Sequence, residues 1–218
     1  MAASRLVELP AHRDAGVPEP FAGPDHPMRL LTRSVAFGEP FTSDDAERVQ
    51  TVFDSMAASW SEDHVNPTKA APVIDALERG DVPLAGDWLE LGSGTGAGCL
   101  ALDGLVREHV SLDLSYEMLA HAPERSPRVQ ADSSVLPLAD HTADVVLMIN
   151  MILFPAEVDR ILRPAGHVVW INTLGDQTPI HLPPADVEAA LPGDWEGATS
   201  RAGTGLWAVL QRVGSSTA

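Results

Sequence analysis

The feature that most constrains this 218-residue chain is the stretch DWLELGSGTGAG, residues 87–98. An apolar run of strand length ends in a turn with four glycines in seven positions: 92, 94, 96 and 98. Glycine lets the main chain pass close to a bound molecule and take backbone angles closed to other residues. A helix that starts just after the turn presents free N–H groups. The segment therefore predicts a strand, a tight turn that touches a ligand through its backbone, and a helix.

The rest of the chain keeps that rhythm. HVSLDL, RVQADS, ADVVLMIN and GHVVWIN read as strands, and GAGCLALDG, SYEMLAHA, PAEVDRIL and PADVEAAL as helices between them. The last segment, WEGATSRAGTGLWAVLQRV, is two strand-like runs joined at Gly203–Gly205. Alternating β and α units predict a doubly wound α/β domain over residues 83–218, with a mostly parallel seven-stranded sheet ending in an antiparallel hairpin. Ligands of such sheets bind at the carboxyl ends of the strands, where strand order reverses.

Residues 42–82 predict an N-terminal helical cap that covers the substrate. Val49, Val52, Phe53, Met56, Ala57 and Trp60 share one helical face, and Thr42 with Asp45 three residues on matches a capping box. A second helix runs from about Thr68 to Gly80. Residues 1–41 hold six prolines and no sustained periodicity, which predicts an irregular arm. Once ordered, such an arm packs as a lid over the active site or against a neighbouring subunit.

The formal charge of −17 argues against a nucleic-acid partner, since phosphate neutralisation needs clustered Lys and Arg, and the 14 basic residues form no stripe. The same charge repels anionic membranes and polyanionic substrates. Cys99 is the only cysteine, so no intrachain disulfide forms. No apolar span reaches transmembrane length, and the N-terminus lacks a signal-peptide h-region. The expectation is a soluble cytoplasmic protein, a monomer or homodimer.

For the ligand, GSGTGA satisfies the dinucleotide pattern G-x-G-x-x-G/A, and Asp113, 19 positions after Gly94, is placed to accept both hydroxyls of a ribose. A nicotinamide dinucleotide fits both features. Glu90, however, sits at the mouth of the strand, where it opposes phosphates and suits a cationic ligand.

Four segments in register, from about residue 86 to 172, resemble the class I S-adenosylmethionine (SAM) dependent methyltransferases, in the branch that includes ubiquinone and menaquinone pathway enzymes. LELGSGTGAG is similar to the first motif of that family, LDLSYEMLAHA to the second, QADSSVLPLADHTADVVLMI to the third and fourth, and VDRILRPAGHVV to the segment before strand five. VFDSMAASWSEDH resembles the aromatic-rich helix that these enzymes place over the cofactor.

The resemblance implies roles for particular residues. Glu90 lies near the methionine amino group, and Gly92, Ser93, Gly94 and Gly96 pass along the methionine and ribose. Asp113 holds the ribose hydroxyls, with Leu114 and Met118 beside the adenosine. Asp132 accepts from the adenine amino group, Ser133 adds a backbone donor, and Ile149 and Asn150 flank the methyl donor. Trp60 is a candidate to stack on the cofactor. The product is then S-adenosylhomocysteine (SAH), and the partner a small-molecule methyl acceptor.

Methyl transfer needs alignment and water exclusion more than a fixed catalytic group. His64 is the first candidate base, after the cap helix, and His26 in the arm a lesser one. His121, His141 and His167 read as solvated, Cys99 as a small buried hydrophobe, and no histidine spacing predicts a metal site. INMILFP does not match the Asn-Pro-Pro-aromatic ending of amino-methylating enzymes that act on nucleobases or glutamine. Two other readings stand beside methyl transfer. One is a non-methylating SAM-binding scaffold or pericyclic-type catalyst, and the other is an NAD(P)-dependent oxidoreductase.

Overall fold

A computed structural model describes residues 4–12, 20–64, 67–107 and 109–213, with the side chains of 61–67 outside the description. Its strands are β1 (Leu6–Glu8), β2 (Trp88–Leu91), β3 (His109–Asp113), β4 (Arg128–Gln130), β5 (Ala143–Ile149), β6 (Leu162–Asn172), β7 (Trp195–Ala202) and β8 (Gly205–Arg212). Its helices are α1 (Pro27–Ala36), α2 (Ser43–His64), α3 (Pro67–Arg79), α4 (Ala97–Leu102), α5 (Tyr116–His121), α6 (Pro155–Ile161) and α7 (Pro184–Ala190).

The strands form one sheet in the order β1-β7-β8-β6-β5-β2-β3-β4. β8 pairs antiparallel with both β6 and β7, and the other pairs are parallel. Since β2 is flanked by β3 and β5, the crossovers reverse direction there. The crevice lies at the carboxyl ends of these strands, level with Leu91, Leu112 and Met148. Val145 to Met148 are fully buried, as an apolar central strand requires. One face of the sheet packs on α6 and α7 through Val158, Ile161 and Val187. The other packs on α3 and α4 through Val73, Ala76 and Leu102.

Three expectations change. The sheet has an eighth strand beside the seven expected, because β1 from the arm adds in parallel to the edge of β7. The arm is also not irregular throughout, since it contributes α1, with His26 as N-cap and Pro27 opening the first turn. Finally, α3 also packs on the sheet, with Val73 and Ala76 buried beside Trp207 and Val209. The crevice is lined by α2, by Lys69, Ala70, Val73 and Ile74 of α3, and by Phe21, His26, Met28 and Phe41 of the arm. The capping box forms as read, with the Thr42 amide donating to Asp45 Oδ2 at 2.9 Å and the Asp45 amide to Thr42 Oγ1 at 3.2 Å.

Asp75 on α3 ties these parts together. Fully buried, it accepts from Trp207 Nε1 on β8 (2.8 Å), from Arg79 (2.9 Å), and bonds His12 Nδ1 of the arm at 2.7 Å.

Candidate cofactor and acceptor site

A cavity of about 740 Å³ opens at the crevice. Among the expected site residues, Trp60, Glu90, Gly92, Ser93, Gly94, Asp113, Leu114, Met118, Asp132, Ser133, Ile149 and Asn150 all line it.

Gly96 does not line it. Gly96 is the N-cap of α4 at φ 85°, and a Cβ there would stand 2.7 Å from Pro123 Cδ, so packing and backbone angle explain that glycine. His64 ends α2, and its side chain lies outside the described residues. His121 and His141 are exposed, whereas His167 is half-buried with Nδ1 unpartnered among the described residues, contrary to its reading as solvated.

The glycine turn is held from both sides. Asp113, ending β3, accepts the Gly94 amide on Oδ2 at 2.7 Å and the Ser115 amide on Oδ1 at 2.8 Å. A Cβ on Gly94 would meet only Trp60 Nε1, at 3.7 Å, so that position faces open cavity under the indole. Ser93 Oγ is buried with no partner among the described residues. Asp132 turns Oδ1 back to the Ser134 amide at 2.8 Å.

Glu90 is 1% exposed and points under the first turn of α4, where the amides of Gly98 and Cys99 donate to it and Ser111 Oγ lies at 3.4 Å. Burial pushes its carboxyl up to about 8 against those hydrogen bonds, with the charge of Asp113 adding to the rise. Burial also raises Asp113, and Asp54 on α2 adds to it, while the amides of Ser115, Gly94 and Leu114 oppose. Burial thus keeps Glu90 largely protonated at neutral pH, and a nearby cation would favour its ionised form. Gly98 follows from the same packing, since a Cβ there would stand 2.2 Å from Glu90 Oε1.

Asn150 lines the cavity but spends its amide elsewhere. Nδ2 donates to Thr173 Oγ1 and Oδ1 accepts the Thr173 amide, both at 2.9 Å, which ties the end of β5 to the residue after β6. Its φ of 51° turns the chain there.

The apolar stripe of α2 faces this cavity rather than a closed core. Val49, Val52, Phe53, Met56 and Trp60 line it, and only Ala57 of the stripe is buried. Phe53 and Trp60 meet edge to face, centroids 5.5 Å apart. Sequence reasoning missed Asp54, which accepts from Ser115 Oγ and latches α2 onto the start of α5. It also missed Lys69, the only lysine of the chain, on the cavity wall. A lone charge beside an apolar stripe carries no periodic signal that marks it.

Residues 89–170 match the family model described as a methyltransferase domain. The structure resembles that of DhpI in complex with SAH, with TM-score 0.61 and 22% identity over 79% of this chain and 99% of the other. A SAM-dependent methyltransferase from Aquifex aeolicus gives TM-score 0.56 at 16% identity, over 75% and 98%. The chain has the fold of the class I SAM-dependent methyltransferases.

Among curated proteins, this methyltransferase-fold chain is 37% identical over 97 residues to the malonyl-[acyl-carrier protein] O-methyltransferase of Marinomonas sp. (strain MWYL1), covering 38% of the chain and 36% of the relative. It is 29% identical over 171 residues to the biotin biosynthesis bifunctional protein BioHC of Cellvibrio japonicus (strain Ueda107), covering 72% and 33%. The chain spans about a third of the length of these relatives.

Proposed function

We propose that the chain binds SAM and transfers its methyl group to a small-molecule acceptor. The observation that carries this reading is the Gly94–Asp113 hydrogen bond at the mouth of the cavity, which sets a glycine turn and a ribose-binding acid on one wall. The open face of Gly94 fits a ligand lying along that wall. Three carboxyl groups, Glu90, Asp113 and Asp132, suit a cation better than a pyrophosphate.

Asp113 holds the ribose hydroxyls, and the free Oδ2 of Asp132 with the Ser133 backbone meets the adenine. Glu90 balances the amino group, Lys69 the carboxylate, and Trp60 covers the turn. When bound, SAM supplies a methyl carbon on a sulfonium: the acceptor's lone pair forms the new bond to carbon as the carbon–sulfur pair returns to sulfur. The protein's part is to align the two and exclude water, with α2 and α1 as the cover.

The motif register shared with the ubiquinone and menaquinone branch supports a small-molecule acceptor. The carrier-linked substrate named for the Marinomonas relative is not carried over, because the match covers only 36% of that relative. The test is SAH formation from SAM with a panel of acceptors. SAH appearing only when an acceptor is present supports transfer, while bound SAM with no SAH from any acceptor favours the non-methylating scaffold.

A further inference from the structure

Away from the acidic wall, the cavity changes character. The outer lobe is bounded by Met28 of α1, by Phe41, by Val49 and Phe53 of α2, and by Phe154 and Ile180 of the loops after β5 and β6. These residues belong to one apolar cluster, with Phe41 and Phe154 edge to face at 5.1 Å. Neither arginine of α1 lines the cavity. Arg29 donates to the carbonyls of Ala22, Asp176 and Thr178, with Nε buried and unpartnered among the described residues, and Arg33 pairs with Asp186. Lys69 also lines the cavity, but it is not among the residues of this apolar cluster. The lobe's walls are thus apolar side chains, a surrounding that disfavours an unpaired carboxylate and favours its neutral form.

His26 is the titratable group of this lobe. As N-cap of α1 it accepts the Met28 amide on Nδ1 at 3.2 Å. An Nδ1 that accepts is unprotonated, so the neutral ring carries its proton on Nε2. Nε2 bonds no described residue, and the ring forms part of the cavity wall. The cap bond thus fixes His26 as a hydrogen-bond donor toward the lobe rather than as a base.

We infer that the outer lobe takes an uncharged, largely aromatic or hydrocarbon acceptor and that the Nε2–H of His26 positions it by donating to one of its oxygens. This rests on the proposed methyl-transfer reading, of which it names the acceptor class. Apolar walls supply the binding energy by burial, and a single directed donor fixes the orientation.

The test is calorimetric titration of the SAH-loaded protein with two neutral probes, 2-naphthol and 4-butylphenol, against their carboxylate counterparts, 2-naphthoate and 4-butylbenzoate. The phenols should bind at least tenfold more tightly. His26→Asn keeps a good N-cap but withdraws the ring donor. It should weaken the phenols several-fold and leave SAH affinity unchanged, which also reports that the variant is folded. Carboxylates that bind as well as the phenols, phenols that do not bind, or phenol affinity unchanged in His26→Asn would each overturn the inference. Failure of SAH itself to bind would instead strike the underlying reading.

Discussion

Asp113 Oδ2 accepts the Gly94 amide at 2.7 Å, so the acid that ends β3 and the turn that follows β2 behave as one unit. The carboxylate that would meet the ribose also sets the backbone on which the rest of the ligand lies. Asp113→Asn keeps the side-chain shape but loses a charged acceptor. It should weaken SAH binding by about 1.5–3 kcal/mol, roughly ten- to hundredfold. Calorimetry on the folded variant checks this, and unchanged affinity would remove Asp113 from the site.

Gly94 should be intolerant of side chains in proportion to their size. Its φ of 54° strains any L-residue, and a Cβ would project beneath Trp60. Gly94→Ala should reduce SAH affinity and Gly94→Val should abolish it, with circular dichroism showing the sheet intact in both. Full affinity in the valine variant would show that ligand does not cross the turn.

Glu90 makes the ligand-free protein pH-sensitive. Its folded-state carboxyl is raised to about 8 from an ordinary 4.5, so between those values the folded state holds a proton that the unfolded state has released. Stability therefore falls as pH rises through that window, by up to about 1.4 kcal/mol per pH unit. Burial raises Asp113 as well, with the same sign. Glu90→Gln should flatten the slope of urea-unfolding stability between pH 5 and 8. A slope identical to wild type would mean that Glu90 is ionised throughout.

Much of this arrangement is legible in the sequence. A fully apolar run such as Val145 to Met148 admits one place in a parallel sheet, and the pattern around Gly203–Gly205 gave the β7–β8 hairpin. Thr42 and Asp45 marked the start of α2. What stays hidden depends on tertiary neighbours. Gly94 and Gly96 are the same letter two positions apart, yet one faces the cavity and the other Pro123. An amphipathic stripe does not say what it faces, so α3, which packs on the sheet, and α2, which lines the cavity, read alike. β1 is only three residues long, too short for alternation to show. α1 begins at a histidine cap, which is outside the usual N-cap set.

The arm should prove dispensable at one contact and dependent on another. Asp75 is fully buried and takes Trp207, Arg79 and His12 as partners, whereas the His12 side chain is 53% exposed. Asp75→Ala strands a buried indole N–H and a guanidinium and should cost about 3 kcal/mol. His12→Ala should cost under about 1 kcal/mol. Denaturant unfolding of the two variants gives the comparison, and equal losses would contradict this assignment of the network.

The most direct test of the central claim is parallel calorimetric titration of the purified protein with SAM, SAH and NADH. The account predicts micromolar binding of SAM and SAH and none of NADH, with both affinities reduced in Asp113→Asn. Binding of NADH alone, or of none of the three, would contradict it.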